Sequence, residues 1–424
     1  MKDAADAALA AQYDAYPYPE RDPRDEAKRL IIGSPSHLRE VDHWIFGARR
    51  PASEPLRALV AGGGSGDATV MLAQQMTNAG RAGNVTWLDR STAARRVAEA
   101  RVAARKLGNV VFQEGSLLDL PGSGLGPFDY VDCCGVLHHL PDPLEGLRAL
   151  VSVLAPGGGL GLMVYAPHGR TGVYMAQDAL RLLAPPDEAP AARVEVAKRL
   201  WRQMPETAWL RRNPWITDHE KGGDAGLYDL LLNPRDISFT VPAFNAMIQA
   251  AGLRIVCLVE PLRYDPLSYL SDPKLRPRIE AMDAVQRAAL AEAITGNMGV
   301  HIAYCVRADA PAVTAPWDDP AAIPCLRELD GAKLAANLPR DGVLRVSFDG
   351  LTVLVPLPRL ASAILSRIDG KRSIGEIGDD LAQQGTAREV FAREFQALVA
   401  AMEKTNRLLI SAASTRGDAQ KTNI

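Results

Sequence analysis

The residues best suited to chemistry form a glycine turn, Gly62-Gly63-Gly64-Ser65-Gly66, between the apolar run Leu59-Val60-Ala61 and a helix-like stretch opening at Asp67. Glycines alternating at Gly62, Gly64 and Gly66 let a ligand approach bare backbone, and amides at the start of the following helix can point at its polar atoms. Asp89 closes a second apolar run, Val85-Thr86-Trp87-Leu88, 23 residues after Gly66. A carboxylate there can hold the two hydroxyls of a ribose. The turn departs from the dinucleotide fingerprint, which wants a third glycine where this chain has Asp67. Groups able to take a proton from an acceptor are His138 and His139, after one apolar run, and Tyr165 and His168, after another. His138 and His168 also suit packing or helix-start hydrogen bonds.

A β/α alternation is needed to bring these groups together. Leu56–Ala61, Val85–Leu88, Val110–Gln113, Phe128–Cys134 and Leu160–Tyr165 read as strands. Between them, helices are expected over Asp67–Met76, from an N-cap at Ser91 to Leu107, and over Pro143–Leu154, the last stopped by Pro156-Gly157-Gly158-Gly159. This pattern predicts an α/β, Rossmann-like, doubly wound parallel sheet, with ligands beyond the carboxyl ends of its strands. A helix over Val241–Ala251, a strand at Leu253–Val259, a helical stretch over 272–295 and a strand at Val300–Val306 would complete seven strands. Inserted segments at about 166–240 and 262–298 would cap the active edge of a domain spanning 51–307.

The arm before it, 1–50, carries Tyr13-Asp14-Ala15-Tyr16-Pro17-Tyr18-Pro19 and reads both as a packing arm and as a lid that lays Tyr16 over the cofactor. Alanine and proline crowd 308–324, a linker. A small α+β domain follows over 325–412, with a hairpin signal at Asp349-Gly350, helices over Pro358–Ile368, Ile374–Gln383 and Ala387–Lys404, and an edge strand at Leu408–Ile410. A disordered tail is expected over 413–424.

Composition bounds the function. Hydrophobic residues make up 47% and charged residues 23% of 424, the profile of an ordinary globular protein. A net charge of −2 gives no footprint for nucleic acid. No apolar run approaches the ~20 residues that span a bilayer. Cys133, Cys134, Cys257, Cys305 and Cys325 include no Cys-x-x-Cys pair, which points to reduced thiols in a cytoplasm and to no metal site.

The turn resembles the first motif of the class I S-adenosylmethionine-dependent methyltransferases. The run from Phe128 through Val136-Leu137-His138-His139 to Asp142-Pro143 looks like their fourth motif, and Pro156-Gly157-Gly158-Gly159 like the turn before their fifth strand. With Asp89, four motifs stand in order. The resemblance implies S-adenosylmethionine as cofactor. Gly62, Gly63, Gly64 and Gly66 would then approach its methionine part, Asp89 its ribose, Arg90 one flank of the adenine, Ser116 and Leu117 the adenine amine and ring, and Cys134 and Gly135 the region of the reactive methyl. Two positions depart from the family: Val60 or Ala61 replaces the acid near the start of the first motif, and Ser116 replaces the aspartate usual after Gly115. The cofactor ammonium then needs another partner, one candidate source being the arm. Arg170 is a candidate for a substrate carboxylate or phosphate. Weaker resemblances link the arm Tyr13–Pro23 to bacterial methyltransferases carrying a so-called regulatory domain, among them protein lysine methyltransferases, and Leu365–Ile377 to winged-helix-like peptide-binding domains of the PqqD kind. Both imply a polypeptide acceptor. The alternatives are a small-molecule methyltransferase whose C-terminal domain drives homodimerisation, and a non-catalytic regulator that binds the cofactor.

Overall fold

The computed structural model describes residues 15–312 and 314–411, so the tail call over 413–424 lies outside the described residues. β1 (Leu56–Ala61), β2 (Gly83–Asp89), β3 (Val110–Glu114), β4 (Phe128–Cys134), β5 (Leu154–Tyr165), β6 (Leu253–Val259) and β7 (Val300–Arg307) form one sheet in the order β3-β2-β1-β4-β5-β7-β6. β1 to β5 pair in parallel. β7 runs antiparallel to both β5 and β6, so the sheet is mixed rather than wholly parallel. The cause is local. Residues 260–299 leave β6 at its carboxyl end and stay at that edge, so β7 starts there and returns without a crossover.

Apolar clusters cover both faces. Leu147 and Leu150 of the helix Pro143–Ser152, with Phe244 and Ile248 of the helix Val241–Ala250, pack on one face. Leu72 and Met76 of the helix Asp67–Asn78 pack on the other, beside Leu38, Val41 and Ile45 from the arm. Residues 38–46 are therefore core and not only a lid. Gly159 lies beneath them: a β-carbon there would stand 2.5 Å from Ile45 Cδ1. Pro156-Gly157-Gly158-Gly159 sits inside β5 as an irregularity in the pairing with β4 rather than as a turn ahead of it.

The first cap segment holds helices Val173–Leu183, Pro190–Gln203, Asp218–Lys221 and Gly223–Leu231 around its own apolar cluster. The helical stretch expected over 272–295 is two helices, Arg276–Glu280 and Ala284–Thr295. Asp283 divides them: its carboxylate accepts from Gln286 N at 2.8 Å and its amide donates to the Gln286 side chain at 3.0 Å, a capping box that must start a new helix.

Four further strands follow: β8 (Ile323–Leu326), β9 (Val343–Phe348), β10 (Leu351–Pro356) and β11 (Leu408–Ser411). β9 and β10 join through Asp349 (φ +45°) and Gly350 (φ +86°), as a type I′ turn requires. The expected edge strand pairs antiparallel with β8, which begins inside the stretch read as a linker. Ile364, Ile377, Phe395 and Leu398 centre the C-terminal core. The expected helix over 358–368 contracts to Ala361–Leu365.

The arm ties this unit to the sheet. Glu40, fully buried, accepts from Tyr304 Oη at 2.6 Å, Asn406 Nδ2 at 2.8 Å and Ser34 Oγ at 2.8 Å, and pairs with Arg327. His43 adds bonds to Glu403 at 3.2 Å and from Ile410 N at 3.0 Å. No helix among the described residues is long and apolar enough to cross a membrane.

Candidate active site

A cavity of about 470 Å³ opens beyond the carboxyl ends of β1, β2 and β4, where the strand order reverses. Its floor is the glycine turn. A side chain at Gly62 (φ +76°) would stand 2.2 Å from Val136 Cγ2. The turn's four glycine amides are already used. Gly62 N and Gly63 N donate to Leu88 O at 2.8 and 3.0 Å, Gly66 N to Gly63 O at 2.9 Å, and Gly64 N to Asp89 Oδ2 at 2.8 Å. These glycines therefore offer a ligand close approach, while the helix-start amides expected to meet its polar atoms are those of Asp67, Ala68 and Thr69. Ser65 Oγ is buried in the cavity wall without a partner among the described residues.

Asp89 also accepts from Ser91 N at 2.9 Å. Burial pushes its carboxyl up, against the amides of Ser91, Gly64 and Arg90. Both oxygens keep lone pairs for hydroxyl donors. Ser116 Oγ accepts from Leu118 N at 3.2 Å, which leaves its own proton free to donate. Arg90, Ser116, Leu117, Cys134 and Gly135 all line the cavity. Burial raises the Cys134 thiol well above its ordinary range, so it is neutral. Asp67, though burial raises it, is held below the usual carboxylate range by Arg21 at 2.6 Å and Arg101 at 2.6 Å.

Asp132 was missed by the sequence reading. It lies on β4 directly beside Val60 of β1, lines the cavity and is 1% exposed. Ser36 Oγ, from the arm, donates to it at 2.5 Å. Burial pushes its carboxyl up to about 7. A carboxylate inside an otherwise apolar strand was the available signal. Asp129 dilutes it, being another acid in the same run that serves structure at the opposite end: it accepts from Arg57 N at 2.8 Å and pairs with Arg50 at 3.1 Å.

The opposite wall is built by β5, the arm and the cap. Tyr165 lines the cavity and donates to Asp229 Oδ2 at 3.1 Å. Asp218 and Tyr18 line it as well. Asp218 keeps an exposed edge, yet burial of its carboxyl and then the charge of Asp229 raise its proton affinity. The Tyr18 hydroxyl is raised by burial and then by Asp218 and Asp229.

Four sequence candidates, Tyr16, His138, His168 and Arg170, fall elsewhere. Tyr16 stacks on Tyr228 with centroids 5.5 Å apart, and the proline-rich arm turns Tyr18 into the cavity instead. His138 is fully buried behind Tyr165, its ring stacked at 3.9 Å, with neither nitrogen bonded among the described residues. Burial, then His139 and Arg170, depress its pKa well below the ordinary value, so it is neutral. His139 lines the cavity but bonds Arg235 O at 2.6 Å. His168 is exposed and outside the cavity. Arg170 is buried, paired with Asp236 at 2.5 Å and stacked 3.7 Å over Tyr165, so its charge is matched within the protein. No group of three metal-ligating side chains occurs among the described residues.

The parts fit the cofactor that the motifs imply: a floor without side chains, a carboxylate at the ribose position, an unpartnered buried hydroxyl at Ser65 and neutral lining at Cys134.

The family described as "Methyltransferase domain" matches residues 59–160. An uncharacterized protein of Synechococcus sp. is 31% identical over 301 residues, 69% of this chain and 69% of that protein. The ubiquinone biosynthesis O-methyltransferase of Albidiferax ferrireducens is 32% identical over 115 residues, covering 27% of this chain and 42% of the enzyme. Among solved structures, PKMT2 from Rickettsia typhi aligns with a TM-score of 0.62 at 15% identity, over 92% of this chain and 77% of that one, and has also been solved with AdoHcy. That likeness is one of fold.

Proposed function

We propose, for a chain that belongs to the class I S-adenosylmethionine-dependent methyltransferases and uses that cofactor, that the methyl acceptor is an amine carried on a polypeptide side chain. One observation carries this reading: Asp218, Asp229 and Tyr165 share the cavity with the glycine turn. Two carboxylates beside Tyr165 on the acceptor side of the cleft favour a cationic acceptor over a phenol or a carboxylic acid. Tyr18 adds an aromatic wall that favours a cation.

In this account Gly62, Gly63, Gly64 and Gly66 give the cofactor its close backbone contact. Asp89 takes the ribose hydroxyls, Arg90, Ser116 and Leu117 the adenine, and Cys134 and Gly135 border the methionine part. Bound there, the cofactor supplies a methyl group activated on a sulfonium. The protein's own tasks are alignment and proton removal. An ammonium has no lone pair to offer. Asp218, whose proton affinity is raised, would take one proton from it, and the freed nitrogen lone pair would form the new N–CH3 bond as the S–CH3 bond breaks and its electron pair stays on sulfur, leaving a neutral thioether. Asp229, fixed by Tyr165, keeps the nitrogen in place.

The polypeptide carrier is supported by the hairpin β9–β10. Its turn rests on the cap: Asn297 Nδ2 donates to Phe348 O at 2.9 Å and Asp349 O at 2.8 Å, and Gly350 lies against Trp215. Trp215 and Asn297 adjoin the cavity residues Asp218 and Val300 in sequence. Among the described residues the two strands of this hairpin pair with each other alone, which leaves outer edges able to accept an extended chain. The test is a cell lysate incubated with the full chain and methyl-labelled cofactor, then separated by size. Label in the protein fraction is expected. Label confined to small metabolites rejects the polypeptide acceptor and favours a small-molecule one.

A further inference from the structure

The cavity contains a charge that the scheme above leaves unused. Asp132 is a carboxylate 1% exposed, on the floor of the cavity, with no arginine, lysine or histidine paired to it among the described residues. Burying an unpaired carboxylate is costly, and a site retains one where a cation will be bound. Its neighbours rule out an internal partner. The titratable groups facing it are Tyr130, Cys133 and Cys134, all of them kept neutral by burial. The carboxylate accepts from the Cys134 backbone amide and from Ser36 Oγ, which donates at 2.5 Å and itself lies 3.2 Å from Tyr130 Oη.

Position identifies the cation. Asp132 pairs in register with Val60, two residues before Gly62, and their side chains share one face of the sheet because residues at matched register positions of parallel strands point the same way. The acid expected from the family near the start of the glycine turn is absent from β1, where the chain has Val60 and Ala61. One strand over, β4 offers a carboxylate at the same height in the sheet.

We infer that Asp132, oriented by Ser36 of the arm, receives the α-ammonium of the cofactor's amino-acid part. The carboxylate has moved from β1 to β4, and the arm supplies the hydroxyl that fixes it rather than the acid itself. The methionine end of the cofactor is then read by a residue from each of two layers, strand and arm. The packing of residues 35–37 against β4 becomes part of cofactor binding.

The inference is tested by binding, not turnover. Titration calorimetry compares the full chain with Asp132→Asn at pH 8 for three probes: S-adenosylmethionine, S-adenosylhomocysteine and 5′-methylthioadenosine, which keeps the nucleoside and sulfur but has no amino-acid part. Asp132→Asn should weaken the first two about tenfold or more and leave the third within about twofold, since only the first two carry the ammonium. Equal loss for all three overturns the inference in favour of a purely structural Asp132. Loss for S-adenosylmethionine alone overturns it in favour of a contact with the sulfonium, and unchanged binding overturns it outright. Should Asp132→Asn fail to fold, Ser36→Ala decides. Without its hydroxyl donor Asp132 holds its proton to higher pH, so S-adenosylhomocysteine binding should weaken more at pH 6.5 than at pH 8.5 while 5′-methylthioadenosine binding does not change with pH. A pH profile identical to that of the unaltered chain overturns the assignment.

Discussion

Replacing Asp89 by alanine removes two things at once. The carboxylate accepts from Gly64 N at 2.8 Å and Ser91 N at 2.9 Å, so it fixes the glycine turn to the end of β2. It also provides the acceptors for a ribose. Hydrogen bonds to a charged group are worth about 1.5–3 kcal/mol each, and water in the vacated space recovers part of that. The net loss in cofactor binding is ~1–3 kcal/mol, or about 5- to 150-fold in Kd. Asp89→Asn should lose less, because its amide oxygen can still accept from Gly64 N. Calorimetric titration with S-adenosylhomocysteine and with its 2′,3′-dideoxy form isolates the ribose contribution. Deleting the hydroxyls should weaken binding to the unaltered chain and have little further effect on Asp89→Ala. Fully additive losses, or a Kd within twofold of the unaltered chain, refute the assignment.

Other expectations follow from the same geometry. Asp229→Asn should lower methyl transfer by ~10- to 100-fold with the cofactor Kd unchanged, measured by label incorporation beside calorimetry; a parallel loss of cofactor binding contradicts its place on the acceptor side. Because the proton affinity of Asp218 is raised, transfer should fall on acidification at a pH above the ordinary carboxylate range, and Asp218→Asn should abolish that limb of the rate profile. His168→Ala, an exposed change outside the cavity, should leave transfer within about twofold. Glu40→Ala strands the buried Arg327 without its counter-charge and should cost ~3–5 kcal/mol in chemical denaturation; less than ~1 kcal/mol refutes the tie between arm and C-terminal unit. Asp132 ionises at about 7 in the folded chain, against ~4 when unfolded. The folded state therefore holds its proton more tightly, and cofactor-free stability falls as pH rises from ~4 to about 7. Asp132→Asn should remove that slope and make the cofactor-free chain more stable at pH 8, by up to ~4 kcal/mol.

Local rules carried the sequence reading far in the first half of the chain. β1 and β4 match their expected bounds, and Ser91 caps its helix through Ala94 N at 3.1 Å, because apolar runs, glycine turns and short polar caps act within a few residues. The same rules singled out Gly62–Gly66 and Asp89, the family resemblance added Ser116 and Gly135, and all of them line one cavity. They failed where chain-distant segments decide. Tyr18, Asp218 and Asp229 meet Tyr165 only through the folding of arm and cap, and no spacing in the sequence connects them. His138 looked exposed to the site because it follows β4, but Tyr165 stacks over it and shuts it away. Arg170 looked available until Asp236 was found beside it. Ser36 carries no motif at all; its meaning comes from the arm lying across β4.

The most direct test of the central claim is the chemical identity of the methylated group. Protein from a lysate labelled by the purified chain is hydrolysed in acid and its amino acids separated. An amine acceptor predicts that label survives hydrolysis and elutes as an N-methylated amino acid, and that Asp229→Asn shrinks this peak by ~10- to 100-fold. Label released as methanol by mild base, the mark of a methyl ester, or label that never enters protein, contradicts it.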